Sequence, residues 1–178
     1  MNFNMRHKSE ERAALFLIAA LVLSRLIPHP PNFTPVLSMA LFCGSFFESR
    51  FKSLAVFVLG LILSNIILGL EPISWVVVFI LIPITLLGRH LKSGSTKKGR
   101  GWAATSIASA CFFFVLSNFF VWIQGELYPP TFRGLLECYV MAIPFFGNTL
   151  LSTLIYSLVL FEGQGLILRW SLKRHGEH

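Results

Sequence analysis

Six apolar segments follow one another along this chain with little polar sequence between them. They cover residues 13–27, 34–47, 54–70, 73–87, 102–123 and 144–162. An α-helix needs about 20 mainly apolar residues to cross a bilayer, so each segment, together with a few flanking polar residues, predicts one transmembrane helix. Six such helices take up most of the 178 residues. We therefore expect an all-α polytopic membrane protein with a single helical-bundle domain over residues 1–178.

The composition excludes most soluble classes of protein. Apolar residues make up 54% of the chain and charged residues 13%, with a mean hydropathy of +0.70, whereas soluble domains carry roughly 25% charged residues. A net charge of +7 could suggest nucleic-acid binding, which needs an exposed basic face. The aromatic residues lie inside the apolar segments instead. We therefore expect the lipid bilayer, and no nucleic acid, as a partner.

The positions of Lys and Arg predict the orientation of the bundle. With the N-terminus in the cytoplasm, thirteen of the fifteen Lys and Arg fall in cytoplasmic segments, and only Arg25 and Arg133 fall outside. Cytoplasmic loops are enriched in these residues, so the pattern predicts six spans with both termini cytoplasmic. No small-residue cleavage site follows the first apolar segment, which indicates a retained helix. The expected location is the bacterial inner membrane.

The stretch from 134 to 165 is too long for one ordinary span. It contains Pro144, which lacks a backbone N–H and usually kinks or ends a helix. We predict a short interfacial or re-entrant helix over residues 133–143, followed by the sixth span over 144–162.

Pairs of small residues four positions apart occur within three of the predicted spans. Such pairs let helices approach closely in a membrane, where apolar side chains alone give no driving force. They are Ala40 with Gly44, Gly60 with Ser64, and Ala104 with Ala108. The pairs predict helix contacts at these positions.

No motif in the sequence predicts catalysis or a bound cofactor. Cys43, Cys111 and Cys138 form no CxxC pair and have no His at ligand spacing, which argues against a disulfide framework or a metal site. Gly94 and Gly99 have the spacing of a P-loop but lack the Lys and Ser or Thr that should follow. We expect no catalytic residues, no metal and no cofactor. Any ATP that drives this protein is used by a partner.

Polar and aromatic side chains, some of which cost free energy when placed in lipid, gather at the outer ends of the predicted spans. An ionisable group inside a bilayer costs about 2.5–3.5 kcal/mol at a helix centre, so it should face the bundle or a watery cavity. Four prolines between residues 28 and 35 stiffen the first outer loop, as a lid requires. The candidate substrate-binding residues are Arg25, His29, Asn32, Phe33, Asn65, Asn118, Trp122, Tyr128 and Asn148.

Each candidate also has a purely structural interpretation. The proline-rich loop could be a rigid hairpin, and Arg25 could extend to the outer interface. Asn65 and Asn118 could form hydrogen bonds between helices. Trp122 and Tyr128 could belong to the aromatic belt at the membrane surface. All of these residues are predicted to lie at the same level near the outer end of the bundle, and this favours a pocket that faces outward.

Four segments carry a resemblance to a known group of proteins. They read RLIPHPPNFTP at residues 25–35, SNIILG at 64–69, SNFFVW at 117–122 and YPPTFRGLLECYVMAIPFFGNTLL at 128–151. Over residues 25–163 the chain resembles bacterial integral membrane proteins of uncharacterised function. That group is similar to the substrate-binding S components of energy-coupling factor transporters.

The resemblance implies a six-helix bundle that captures a vitamin-like nutrient from outside and closes loops over it. His29, Asn32 and Phe33 would lie in the first lid. Arg25, Asn65, Asn118, Trp122 and Asn148 would line the pocket. An S component docks on a transmembrane coupling protein driven by two ATPases, so these are the implied protein partners. S components often dock through an AxxxA pair on the first helix, and the nearest equivalents here are Ala13, Ala20 and Ser24.

Two functions of different classes are consistent with these features. The first is capture of a small organic nutrient, because a hard metal cation would need several carboxylates and only Glu71, Glu126 and Glu137 lie at the outer end. The second is a structural or assembly membrane protein without a small-molecule cargo. An intramembrane enzyme would need a nucleophile and a base, and the sequence offers no such pair.

Overall fold

The computed structural model describes residues 3–69, 72–91 and 101–175 and, among these, the side chains of 10–69, 75–91 and 101–166. It contains six α-helices. They are α1 (Phe3–Leu26), α2 (Val36–Phe46), α3 (Arg50–Leu68), α4 (Pro72–Leu87), α5 (Gly101–Gln124) and α6 (Phe132–His175). A 3₁₀ turn, Gly88–Leu91, extends α4. No β-strand occurs in the described part of the chain. Glu71 and the loop with Gly94 and Gly99 lie outside the described residues.

Three helices are long and apolar enough to cross a membrane. They are Arg50–Leu68, Gly101–Gln124 and the Phe132–Leu166 part of α6. Large apolar side chains cover the outside of the bundle, including Phe16, Phe51 and Phe79, which are 69%, 80% and 70% exposed. Soluble monomers rarely expose apolar surface on this scale. Contact with lipid tails accounts for it, as expected of a membrane protein.

Helix α2 is short and lies at the centre of the bundle. All of its residues from Leu37 to Gly44 are buried, and it contacts each of the other five α-helices. Pro35 precedes it, and the N–H of Met39 donates to the Pro35 carbonyl at 2.8 Å. Its 11 residues give a length of about 16 Å, roughly half the thickness of a bilayer core. The segment predicted as a span over 34–47 is therefore a central helix too short to cross by itself.

Contacts between helices define one end of the bundle. Glu10 of α1 pairs with Lys52 of α3 at 3.1 Å. The indole nitrogen of Trp102, at the start of α5, donates to Glu162 of α6 at 3.1 Å. Arg89 Nη2 donates to the Glu48 carbonyl, just before α3, at 3.1 Å, and Leu91 lies against Gly101 at the start of α5. These contacts place the N-terminal part of α1, the start of α3, the start of α5 and the later part of α6 together. We call this the basic end, because Arg12, Arg50, Lys52 and Arg89 lie there.

Helix α6 runs without interruption from Phe132 to His175, with Pro144 inside it. The prediction of a separate short helix over 133–143 is wrong. A proline removes one backbone hydrogen bond, whereas a break in an apolar medium would leave several peptide groups without partners. Helix α6 also packs along α5, the most extensive contact in the bundle. From Phe132 to Glu162 the helix covers about 45 Å, which matches a bilayer with its headgroups.

Candidate functional site

A cavity of about 460 Å³ opens at the end of the bundle opposite the basic end. Its polar lining consists of Arg25, His29, Asn32, Thr34, Asn65 and Thr149. Apolar side chains from α2, α3, α4 and α5 form the rest of the wall, among them Leu61, Val77, Val78 and Phe113. Pockets for small organic ligands occupy about 300–1,000 Å³ and combine an apolar wall with a few polar groups. This cavity has both properties.

Arg25 is the only charged side chain among the described residues that line the cavity. It lies in the last turn of α1, where the helix dipole favours a cation. Its Nη1 atom donates to Asn65 Oδ1 at 2.5 Å and also to Ser64 Oγ. The Ser64 hydroxyl in turn donates to the Leu61 carbonyl at 2.9 Å, which leaves its lone pairs for Arg25. These bonds join the C-terminal ends of α1 and α3 and fix one side of the guanidinium.

The proline-rich loop forms a tight turn that presents Asn32 to the cavity. The N–H of Phe33 donates to the Pro30 carbonyl at 3.0 Å, and Asn32 has a φ of 61°. Pro31 holds its own φ near −65°, and a negative φ followed by a positive one defines a type II turn. Asparagine is one of the few residues other than glycine that adopt positive φ readily. The sequence Pro30-Pro31-Asn32-Phe33 therefore favours this turn.

Two contacts attach the loop to α6. Asn148 Nδ2 donates to the Pro31 carbonyl at 2.9 Å, and the ring of Phe33 lies 6.1 Å from that of Tyr156. Asn148 and Tyr156 are separated by about 12 Å along the helix. The loop is therefore held against α6 at two levels of that helix. Pro35, at the end of this loop, is buried where α2 begins.

A second cavity, of about 200 Å³, adjoins the first. The two share Asn32, Phe113 and Thr149 in their linings. Four phenylalanines line the second cavity, and the rings of Phe114 and Phe146 are tilted against each other with 4.8 Å between their centres. Asn118 lies in this lining, and its Nδ2 atom donates to the Phe114 carbonyl at 2.8 Å.

Comparison with known proteins gives the chain a family. Residues 6–174 match the model of a family described as "Family of unknown function (DUF6580)". The chain belongs to DUF6580. No curated protein and no solved structure matches it.

Five of the candidate residues predicted from the sequence of this DUF6580 protein line the two cavities. Arg25, His29, Asn32 and Asn65 line the larger cavity, and Asn118 lines the smaller one beside Asn32.

The other four candidates lie outside both linings. Asn148 and Phe33 hold the proline-rich loop against α6. Trp122 Nε1 donates to the Pro129 carbonyl at 3.1 Å, which ties the end of α5 to the loop before α6. Tyr128, half-buried, belongs to the same loop. In the structure these residues support the loops at the cavity end of the bundle instead of lining a cavity.

Sequence reasoning missed Thr34, Phe113 and Thr149, which line the larger cavity. One signal for Thr149 was present. It begins a series of buried hydroxyl residues on α6 at helical spacing, Thr149, Ser152, Thr153 and Ser157, and such a series marks the inward face of a helix. Phe113 had no comparable signal, because it is one of several phenylalanines in an unbroken apolar stretch.

Proposed function

We propose that this DUF6580 protein is a substrate-binding membrane subunit for uptake of a small organic, vitamin-like nutrient. The observation that carries the proposal is the cavity of about 460 Å³, in which one arginine and several amide and hydroxyl groups face an apolar wall. A purely structural bundle gains nothing from a cavity of this size, since empty space costs packing energy. A ligand that fills it would recover those contacts.

The proposed orientation places the cavity outside and the basic end in the cytoplasm, with the chain crossing the inner membrane six times. The excess of Lys and Arg at the basic end supports this orientation. The second crossing would combine α2 with the proline-rich segment that precedes it. Both termini would then be cytoplasmic.

Energy would come from other proteins. The sequence has no nucleotide-binding motif, so accumulation against a gradient would require a transmembrane coupling protein with ATPase subunits, as the resemblance to S components implies. These partners are part of the proposal.

The experiment compares two substitutions of the same kind. Val77→Phe would fill the larger cavity, which Val77 lines. Val159→Phe is the matched control, because Val159 is 62% exposed on the outer surface of α6. Each protein is purified in a mild detergent and denatured, and the released small molecules are identified by mass spectrometry.

The proposal predicts a small molecule that is bound to the wild type and to Val159→Phe and is depleted at least tenfold in Val77→Phe. Thermal unfolding in detergent checks that both variants are folded. Wild-type protein that carries no small molecule other than lipid and detergent would instead favour a structural or assembly role.

A further inference from the structure

We propose that the larger cavity binds an organic monocarboxylate with an apolar body, and that the guanidinium of Arg25 receives its carboxylate group. This inference rests on the proposed function and narrows its substrate to one chemical class.

The first step is the number of donors that Arg25 leaves free. A guanidinium has five N–H donors, and the two on Nη1 are used by Ser64 and Asn65. The three on Nε and Nη2 have no acceptor among the described residues. The Nε–H and one N–H of Nη2 are parallel along one edge of the guanidinium, and such an edge matches the two oxygens of a carboxylate.

The second step is charge. Ser64 and Asn65 are neutral, and within the described part of the chain no carboxylate pairs with Arg25. None of the described residues that line either cavity is acidic. An unpaired cation beside an apolar wall is costly, so an anionic ligand would be favoured over a neutral or cationic one of the same shape.

The third step is the size of the charge. A phosphate monoester carries about −1.5 to −2 charges near pH 7, which a single guanidinium would leave partly uncompensated. A carboxylate carries one negative charge and is balanced by Arg25 alone. His29 is exposed, and its Nδ1–H donates to the neighbouring Pro30 carbonyl at 3.0 Å, so this nitrogen is not free to hold a second negative charge.

The fourth step is the remaining wall. Leu61, Val77, Val78 and Phe113 line the same cavity, and burial of apolar ligand surface against them is favourable because it removes that surface from water. The smaller cavity beyond Phe113 is lined by further aromatic rings. The part of the ligand beyond its carboxylate would therefore be apolar. An aromatic ring or a short alkyl chain could pack against this lining.

The test uses matched sets of probes on the purified full-length protein. Each set has one apolar body with an acid, an amide or an amine at its end: 4-phenylbutyrate, 4-phenylbutanamide and 4-phenylbutylamine, and the octanoate series. Dissociation constants come from the dose dependence of Tm in detergent at pH 7. We expect at least one acid to bind, with a Kd at least tenfold lower than those of its amide and amine.

Variants then assign the effect to Arg25. Arg25→Gln should weaken acid binding at least tenfold and leave amide binding unchanged, whereas Arg25→Lys should keep the preference for the acid with a smaller ratio. Arg133→Gln is the matched control, because Arg133 is 89% exposed and pairs with Glu137. If Arg25→Gln does not fold, the ratio of acid to amide binding in the wild type still decides the question.

Several results would overturn the inference: equal binding of acid and amide, acid binding that persists in a folded Arg25→Gln variant, tighter binding of phenyl phosphate than of the acids, or no binding by any acid. These outcomes differ from failure of the proposed function. A neutral co-purified molecule that is lost in Val77→Phe would support capture of a nutrient and contradict the carboxylate.

Discussion

Gly44 of α2 and Gly88, at the end of α4, lie where the two helices touch, and each meets the backbone of the other segment. A methyl group at Gly44 would overlap the carbonyl oxygen of Thr85, and one at Gly88 would overlap that of Leu41. Hydrogen is therefore the only side chain that fits at either position. This contact fixes the buried helix α2 beneath the cavity.

Gly44→Ala should consequently destabilise the fold. Overpacking of a tight contact costs about 1–3 kcal/mol, and we expect the upper part of this range because backbone atoms would have to move. Gly147→Ala is the control, since nothing lies within 4 Å of a Cβ at that helical position. Its higher helix propensity should add up to about 1 kcal/mol. Thermal unfolding in one detergent measures both variants, and an equal Tm for the two would contradict the proposed close approach.

A second prediction concerns the inward face of α5. Ala110 is fully buried, whereas Ala108 is exposed. Ala110→Leu should lower the free energy of unfolding by about 1–3 kcal/mol through overpacking. Ala108→Leu, two positions away, should change it by less than about 0.5 kcal/mol. Thermal unfolding measures both variants. A greater loss of stability in Ala108→Leu than in Ala110→Leu would contradict the prediction.

A third prediction separates the backbone of Asn32 from its side chain. A residue other than glycine at positive φ costs about 1–2 kcal/mol, with Asn partly exempt. Asn32→Ala should therefore lose roughly 1 kcal/mol of stability, while Asn32→Gly should stay close to the wild type. Both variants lack the amide that faces the two cavities, so both should carry less co-purified ligand. Equal stability of the Ala and Gly variants would argue against the type II turn.

A fourth prediction addresses orientation. In protein with Cys43, Cys111 and Cys138 replaced by alanine, single cysteines are introduced at Leu127, in the loop before α6, and at Ser49, in the loop before α3. Both positions are exposed. A membrane-impermeant maleimide added to spheroplasts should label Leu127→Cys and spare Ser49→Cys until the membrane is permeabilised. The opposite pattern would place the cavity in the cytoplasm and remove the basis for uptake.

Most of the helical layout could be predicted from the sequence, because long apolar segments in a membrane have few alternatives to the helix. Five predicted segments coincide with parts of helices α1 and α3–α6, and the candidate residues Arg25, Asn32 and Asn65 do meet at one cavity. The polar side chains within the apolar segments allowed the cavity to be predicted, because a polar group is unfavourable in lipid and therefore faces the interior of the bundle.

The errors arise where tertiary packing outweighs a local rule. A proline such as Pro144 usually ends a helix in a soluble protein. In an apolar surrounding, a break in α6 would leave further backbone groups without hydrogen-bond partners, which costs more than the one bond that the proline removes. The pair Ala104 and Ala108 is exposed, and α5 presents Ser106, Ser109 and Ala110 to its neighbours instead. Ser106 Oγ donates to Ser157 Oγ at 2.8 Å, a contact that only the relative rotation of two helices could reveal.

The short length of α2 has a consequence for the energetics of ligand capture. The backbone between Pro31 and Pro35 is not helical, and the N–H groups of Asn32 and Thr34 have no backbone acceptor within the described part of the chain. Pro31 and Asn32 are exposed, and backbone N–H groups that lack a protein acceptor are satisfied by water. The chamber beside this segment should hence stay hydrated between binding events. A ligand that enters would expel ordered solvent, and its association should show a negative change in heat capacity.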